Sequence, residues 1–161
     1  MKKLFLFAFI SVSFLQTACG VAAEDSLQAI LAAKQPPAGV VFELATVDDD
    51  GMDWAIPLVR NHATQLRAKF PGIKLAVVSH GLEQFQLVQN EKKQSTDAHR
   101  KVASLIKDKD IEVHVCGNFA SMMDVGRDEF IDVVKVAHRA PAQVKEFMNA
   151  GYALILISEP E

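Results

Sequence analysis

The chain has 161 residues, half of them hydrophobic and 23% charged, with a formal net charge of −3. That length suits one domain, or one domain and a removable segment, and the apolar share excludes a disordered chain. The acidic balance argues against a nucleic-acid surface, and two widely separated cysteines exclude a zinc knuckle or a C-x-x-C redox motif.

The apolar residues are unevenly spread. Residues 1–23 contain no acid, two lysines (Lys2, Lys3) and the apolar run Leu4–Leu15, which is shorter than the ~20 residues that span a bilayer. Small residues follow, with Val21 and Ala23 at the −3 and −1 positions of a cleavage before Glu24. This is the pattern of a bacterial secretory signal, and it predicts export to the periplasm. Cys19 offers a second exit, as the lipidated cysteine of a lipoprotein. Gln16 stands where that motif has an apolar residue, so cleavage after Ala23 fits better. Cleavage there leaves Cys116 as the sole cysteine, which cannot form an internal disulfide. It also predicts no membrane contact unless Cys19 is lipidated.

Residues 24–38 form an N-terminal arm: Leu27, Ile30 and Leu31 have helical spacing, and Pro36-Pro37 ends it. The domain then occupies 39–161. Five short apolar, β-branched runs predict strands over Val40–Thr46, Lys74–His80, Glu112–Asn118, Val133–Ala137 and Ala153–Ser158. The second, third and fifth are apolar nearly throughout, as strands covered on both faces are. Between them lie helical patterns. Asp53–Phe70 carries Val59, Leu66 and Phe70 on one side, tolerates Pro57 in its first turn, and stops at Pro71-Gly72. Leu82–Val88 reads as a short amphipathic turn, followed by the polar break NEKKQSTD. Ala98, Val102, Leu105 and Ile106 resume the helical period, with N-caps offered by Ser95 to Asp97. Phe119–Val125 is stopped by Gly126, and Pro141–Ala150 by Gly151. Alternating strands and helices predict an α/β fold with a parallel sheet and helices on both faces.

In such sheets, ligands sit beyond the carboxyl ends of the strands. That rule selects Thr46 after strand one, His80-Gly81 after strand two and Cys116-Gly117-Asn118 after strand three. Cys116 precedes a glycine and a short helix, where amides can activate a thiol; equally, cysteine is a common buried hydrophobe. His80 could donate to a thiolate or cap strand-end carbonyls. Asn118 could touch a ligand or cap the following helix. Asp48-Asp49-Asp50 lacks the spaced ligands of a metal loop and reads as a solvated turn, so no metal is expected. His62, His99 and His138 read as surface or core residues. His114, two before Cys116, should face the same side of the sheet. Met122-Met123 reads as core filler. No dinucleotide, P-loop, serine-hydrolase or zinc-protease motif is present.

The segments VRNHATQL, VVSHG, IEVHVCGNFASMM and KEFMNAGYALILIS together resemble the DsrE/DsrF-like family of sulfur-relay proteins, including its smaller YchN-like members. The resemblance runs from about Val40 to Ile157. It implies a three-layer α/β/α domain with a five-stranded, mostly parallel sheet, assembled as homo-oligomers such as trimers or hexamers. It also implies that Cys116 accepts sulfane sulfur as a persulfide and passes it to a partner protein, without metal or organic cofactor. His80, Gly81 and Asn118 match the surroundings of that family's pocket. Two functions follow as expectations. One is an exported sulfur carrier in which His80 favours the thiolate and the Gly117 and Asn118 amides hold the terminal sulfur. The other is a non-catalytic periplasmic binding or assembly module, with Cys116 structural and a rim pocket of Thr46, His80 and Asn118. An enzyme with turnover of its own lacks an acid–base pair at convincing spacing. Mass spectrometry of the mature protein checks the leader: the chain is expected to begin at Glu24, and a diacylated N-terminal Cys19 overturns this.

Overall fold

The computed structural model describes residues 23–89 and 96–159. Residues 1–22, on which the expected leader and Cys19 fall, positions 90–95 of the polar break and residues 160–161 lie outside the described residues. Among the described residues five helices and five strands alternate: α1 (Ala23–Ala32), β1 (Gly39–Leu44), α2 (Met52–Lys69), β2 (Lys74–Ser79), α3 (Asp97–Lys109), β3 (Ile111–Cys116), α4 (Gly117–Met122), β4 (Lys135–Ala137), α5 (Ala140–Asn149) and β5 (Tyr152–Ile157). A 3₁₀ segment, Leu82–Leu87, lies between β2 and α3. All five strands are parallel, in the order β4-β3-β2-β1-β5, with helices on both sides. The fold is the three-layer α/β/α arrangement that the sequence predicts.

The strands divide their side chains between two unequal cores. Val40, Phe42 and Leu44 of β1 join Val77 and Val113 in the larger cluster, under α1, α2 and α3. Val41, Ala76, Val78 and Cys116 face the other way, under Ala140 and Val144 of α5. Fully burying a Leu, Ile or Phe is worth roughly 1.5–3 kcal/mol, so the first face carries most of the stabilisation. Leu27 of α1 is completely buried in that cluster, which makes the N-terminal arm part of the domain core.

Several boundaries differ from the sequence reading for local reasons. Pro57 is the sixth residue of α2, not a first-turn residue, because the helix begins at Met52. Its missing N–H falls inside the helix, where one intrahelical bond is lost. Helix α2 ends at Lys69, and Gly72 takes a φ of +79° that a side chain would resist. Helix α4 stops at Met122, before Gly126, because Asp124 adopts the left-handed conformation at φ +56°. Thr96 caps α3, its hydroxyl accepting from the His99 amide at 3.1 Å.

The 3₁₀ segment ties the carboxyl ends of three strands together. Glu83 is fully buried. One carboxylate oxygen accepts from Ser79 Oγ (2.6 Å) and the Gly81 amide (2.9 Å), the other from the Thr46 amide (3.0 Å). Gln84, also fully buried, accepts from the Cys116 amide at 2.8 Å. Gln86 accepts from the Met52 amide at the start of α2, also at 2.8 Å. Gly81 lies so close to Thr46 that a Cβ would fall 2.2 Å from its carbonyl oxygen and 2.4 Å from its nitrogen. Buried donors left unpaired cost about 1–3 kcal/mol each. Glu83→Ala is therefore expected to lower stability by about 3 kcal/mol or more, read as a shift of the urea midpoint. Glu83→Gln, which keeps one acceptor oxygen, should lose less.

Candidate functional site

Beyond the ends of β2 and β3 lies a cavity of about 220 Å³, lined by His80, Cys116, Asn118, Phe119, Met122, Arg139 and Pro141. The strand-end rule thus brings three of its selected residues, His80, Cys116 and Asn118, to one place.

Cys116 ends β3 and is 5% exposed. Its Sγ accepts a hydrogen bond from the Ala140 amide at 3.5 Å. Ala140 is the first residue of α5, a ten-residue helix, so the sulfur meets a donor and the positive end of a helix dipole together. The backbone amide of Cys116 is held by Gln84, and its chain cannot shift without breaking that buried bond. The Asn118 amide does not reach the sulfur; it donates to the His138 carbonyl at 3.0 Å. Nor does Asn118 cap a helix. Cys116 is the N-cap of α4, and the Asn118 side chain, inside that helix, is exposed and approaches Met122 Sδ at 3.8 Å.

His80 Nε2 pairs with Glu43 Oε1 at 2.9 Å, both side chains being about one-fifth exposed (21% and 20%). Glu43 projects from β1 and holds the imidazole by one nitrogen, which leaves Nδ1 as the other proton-bearing position. Arg139 occupies the N-cap position of α5, with no side-chain capping bond, and is the one arginine among the residues lining the cavity. Phe119 stacks at a tilt against Phe85, with ring centres 5.5 Å apart.

Thr46, Gly81 and Gly117 do not line the cavity; they build its frame. Thr46 donates its amide to Glu83, and its carbonyl accepts from Leu82 at 2.8 Å. A Cβ on Gly117 would lie 2.8 Å from the mobile end of Arg127 (Nη1) and 3.0 Å from the Ala137 carbonyl, so a side chain at the start of α4 is tightly confined by the end of β4. Arg139 escaped the sequence reading although the same rule reaches it: it follows β4, the shortest strand, by two residues. Glu43, Phe119 and Pro141 carried no comparable signal. Met122 is not core filler; it is 72% exposed and borders the cavity.

The Asp48–Asp50 carboxylates come within 4.8 Å of one another on the loop after β1. None of them lines the cavity. His114 lies on the α5 face, as its spacing from Cys116 predicts, with its ring edge-on to Phe147 at 5.5 Å. Burial pushes its pKa below the ordinary 6.5, and the Glu112 carboxylate only partly opposes this. Lys135 and, more weakly, His114 hold Glu112 below its ordinary 4.5. A buried imidazole with a lowered pKa costs nothing while neutral in both states. As pH falls below 6.5 the unfolded chain takes up the proton more readily, so stability declines until pH drops below the folded value. Glu112 adds a further loss only below 4.5. Urea midpoints are expected to fall between pH 7 and about pH 5, and His114→Phe, which keeps the packing on Phe147, should reduce that fall.

No protein-family model matches the chain, and no curated protein sequence matches it. Among solved structures it is similar to a protein of unknown function, MTH1491 from Methanobacterium thermoautotrophicum, with a TM-score of 0.59 and 19% sequence identity. The similarity covers 73% of this chain and 97% of that one. At that identity the likeness is one of fold.

Proposed function

We propose that this protein is an exported sulfur carrier of the DsrE/DsrF type, which holds sulfane sulfur as a persulfide on Cys116 and passes it to a partner thiol. The observation that carries this reading is the Cys116 sulfur itself: the one cysteine among the described residues, beside a small cavity, receiving the Ala140 N–H at a helix N-terminus. A thiolate is the nucleophile in sulfur exchange, and donors aimed at the sulfur stabilise its charge. In this reading His80 takes the thiol proton at Nδ1, with Glu43 stabilising the imidazolium through Nε2. The near-complete burial of Cys116 shields a bound persulfide from oxidation and adventitious exchange. Export follows from the leader, and homo-oligomers from the family resemblance.

A binding or assembly module is the second reading, and one observation favours it: Cys116 packs among Val41, Ala76, Val78, Ala140 and Val144, as a structural cysteine would. Intact mass distinguishes the two. After exposure to polysulfide, wild type is expected to gain about 32 Da, one sulfur atom; the gain should disappear with dithiothreitol and be absent in Cys116→Ala. An equal gain in that variant, or none in wild type with a thiol that labels only after denaturation, favours the binding module.

A further inference from the structure

We propose that Arg139 makes the Cys116 cavity a subsite for the oxyanion end of a sulfane-sulfur donor, with thiosulfate as the substrate. This rests on the carrier reading and adds which donors the site accepts.

The first support is charge. The chain is net acidic, yet the cavity lining holds Arg139 and His80 and no carboxylate. Glu43, the carboxylate that meets His80, is bonded to that imidazole. Among the described residues, the salt bridges involve Arg100, Lys101, Lys135, His80 and His114, and none involves Arg139. An exposed guanidinium with no acidic partner, bordering a cavity without acids, favours an anion. The second support is shape. A planar guanidinium fork grips tetrahedral oxyanions through two parallel hydrogen bonds. The third is size: about 220 Å³ falls below the roughly 300–1,000 Å³ of pockets for drug-sized ligands. The space suits an inorganic ion.

The chemistry balances without an outside oxidant. His80 accepts the thiol proton, and the Cys116 thiolate attacks the outer sulfur of thiosulfate. A new S–S bond forms at Cys116 while the bond to the SO₃ group breaks, and its electron pair leaves with sulfite. The outer sulfur stays on Cys116 as the persulfide anion. Charge grows on the departing sulfite as the bond lengthens, so an arginine there stabilises the transition state more than the bound ion.

The test follows mass gain on Cys116 with thiosulfate and with polysulfide, which carries no oxyanion, in wild type, Arg139→Gln and Arg139→Lys. With thiosulfate, Arg139→Gln is expected to slow sulfur transfer about 10- to 100-fold, the worth of a hydrogen bond to a charged group. Arg139→Lys should fall between, and one sulfite should be released for each sulfur gained. With polysulfide, an anion that lacks the tetrahedral oxyanion end, Arg139→Gln should slow transfer markedly less than with thiosulfate. The proposal is overturned if wild type takes sulfur from polysulfide but not from thiosulfate, or if Arg139→Gln leaves the thiosulfate rate unchanged or slows both donors equally. Absence of any gain in wild type with either donor overturns the carrier reading, and this proposal with it.

Discussion

Everything at the site depends on one short segment whose polar side chains point inward. Glu83 and Gln84 have no exposed surface, and between them they receive the amides that leave β1, β2 and β3. The carboxyl edge of a parallel sheet is a row of loops with unsatisfied backbone donors, and burying them without acceptors would be costly. A carboxylate suits this task because it can accept several hydrogen bonds at once. The 3₁₀ segment thus serves as a buried strut. It sets the spacing between the His80 and Cys116 backbones, and Gln86 extends the same bracing to the start of α2.

On that frame the cavity is assembled from pieces that are individually ordinary. A strand end supplies the thiol, the next strand an imidazole, and the first turn of α5 an amide and a guanidinium. The parallel topology places them together: β3 and β4 end at the same edge, with Cys116 opposite Ala137 in register. Residues that follow β4 therefore land beside Cys116, and α5 begins where the sulfur lies. Glu43 comes from β1, beyond β2, and reaches His80 across one strand spacing.

The strands were legible because β2, β3 and β5 read as nearly continuous apolar runs; β2 and β3 are covered on both faces, whereas β5 is an edge strand that leaves Leu156 49% exposed. The edge rule then pointed to His80, Cys116 and Asn118. It pointed also to Thr46 and Gly81, which share the edge but are consumed by the Glu83 clamp. What escaped was long-range pairing. Glu43 looks like the solvent-facing position of a strand, and its partner is 37 residues away. Glu83, Gln84 and Gln86 read as the polar side of an amphipathic turn. Their burial depends on amides from loops that a local pattern cannot see. Met122 and Met123 erred in the opposite sense: α4 ends at Met122, and both methionines are left exposed to solvent, at 72% and 49%.

The unequal division of the core has a consequence for the thiol. Cys116 belongs to the smaller of the two clusters, six buried residues packed by half-buried Phe147, Tyr152 and Leu154, whereas the larger cluster contains most of the fully buried large side chains. Regions with fewer buried apolar contacts open more readily than the molecule as a whole unfolds. Lifting the first turn of α5 removes both the apolar lid of Ala140 and the amide bonded to sulfur, and it leaves the main core intact. Packing at Ala140 and Val144 therefore bears on the surroundings of the sulfur more directly than on the sheet's larger core.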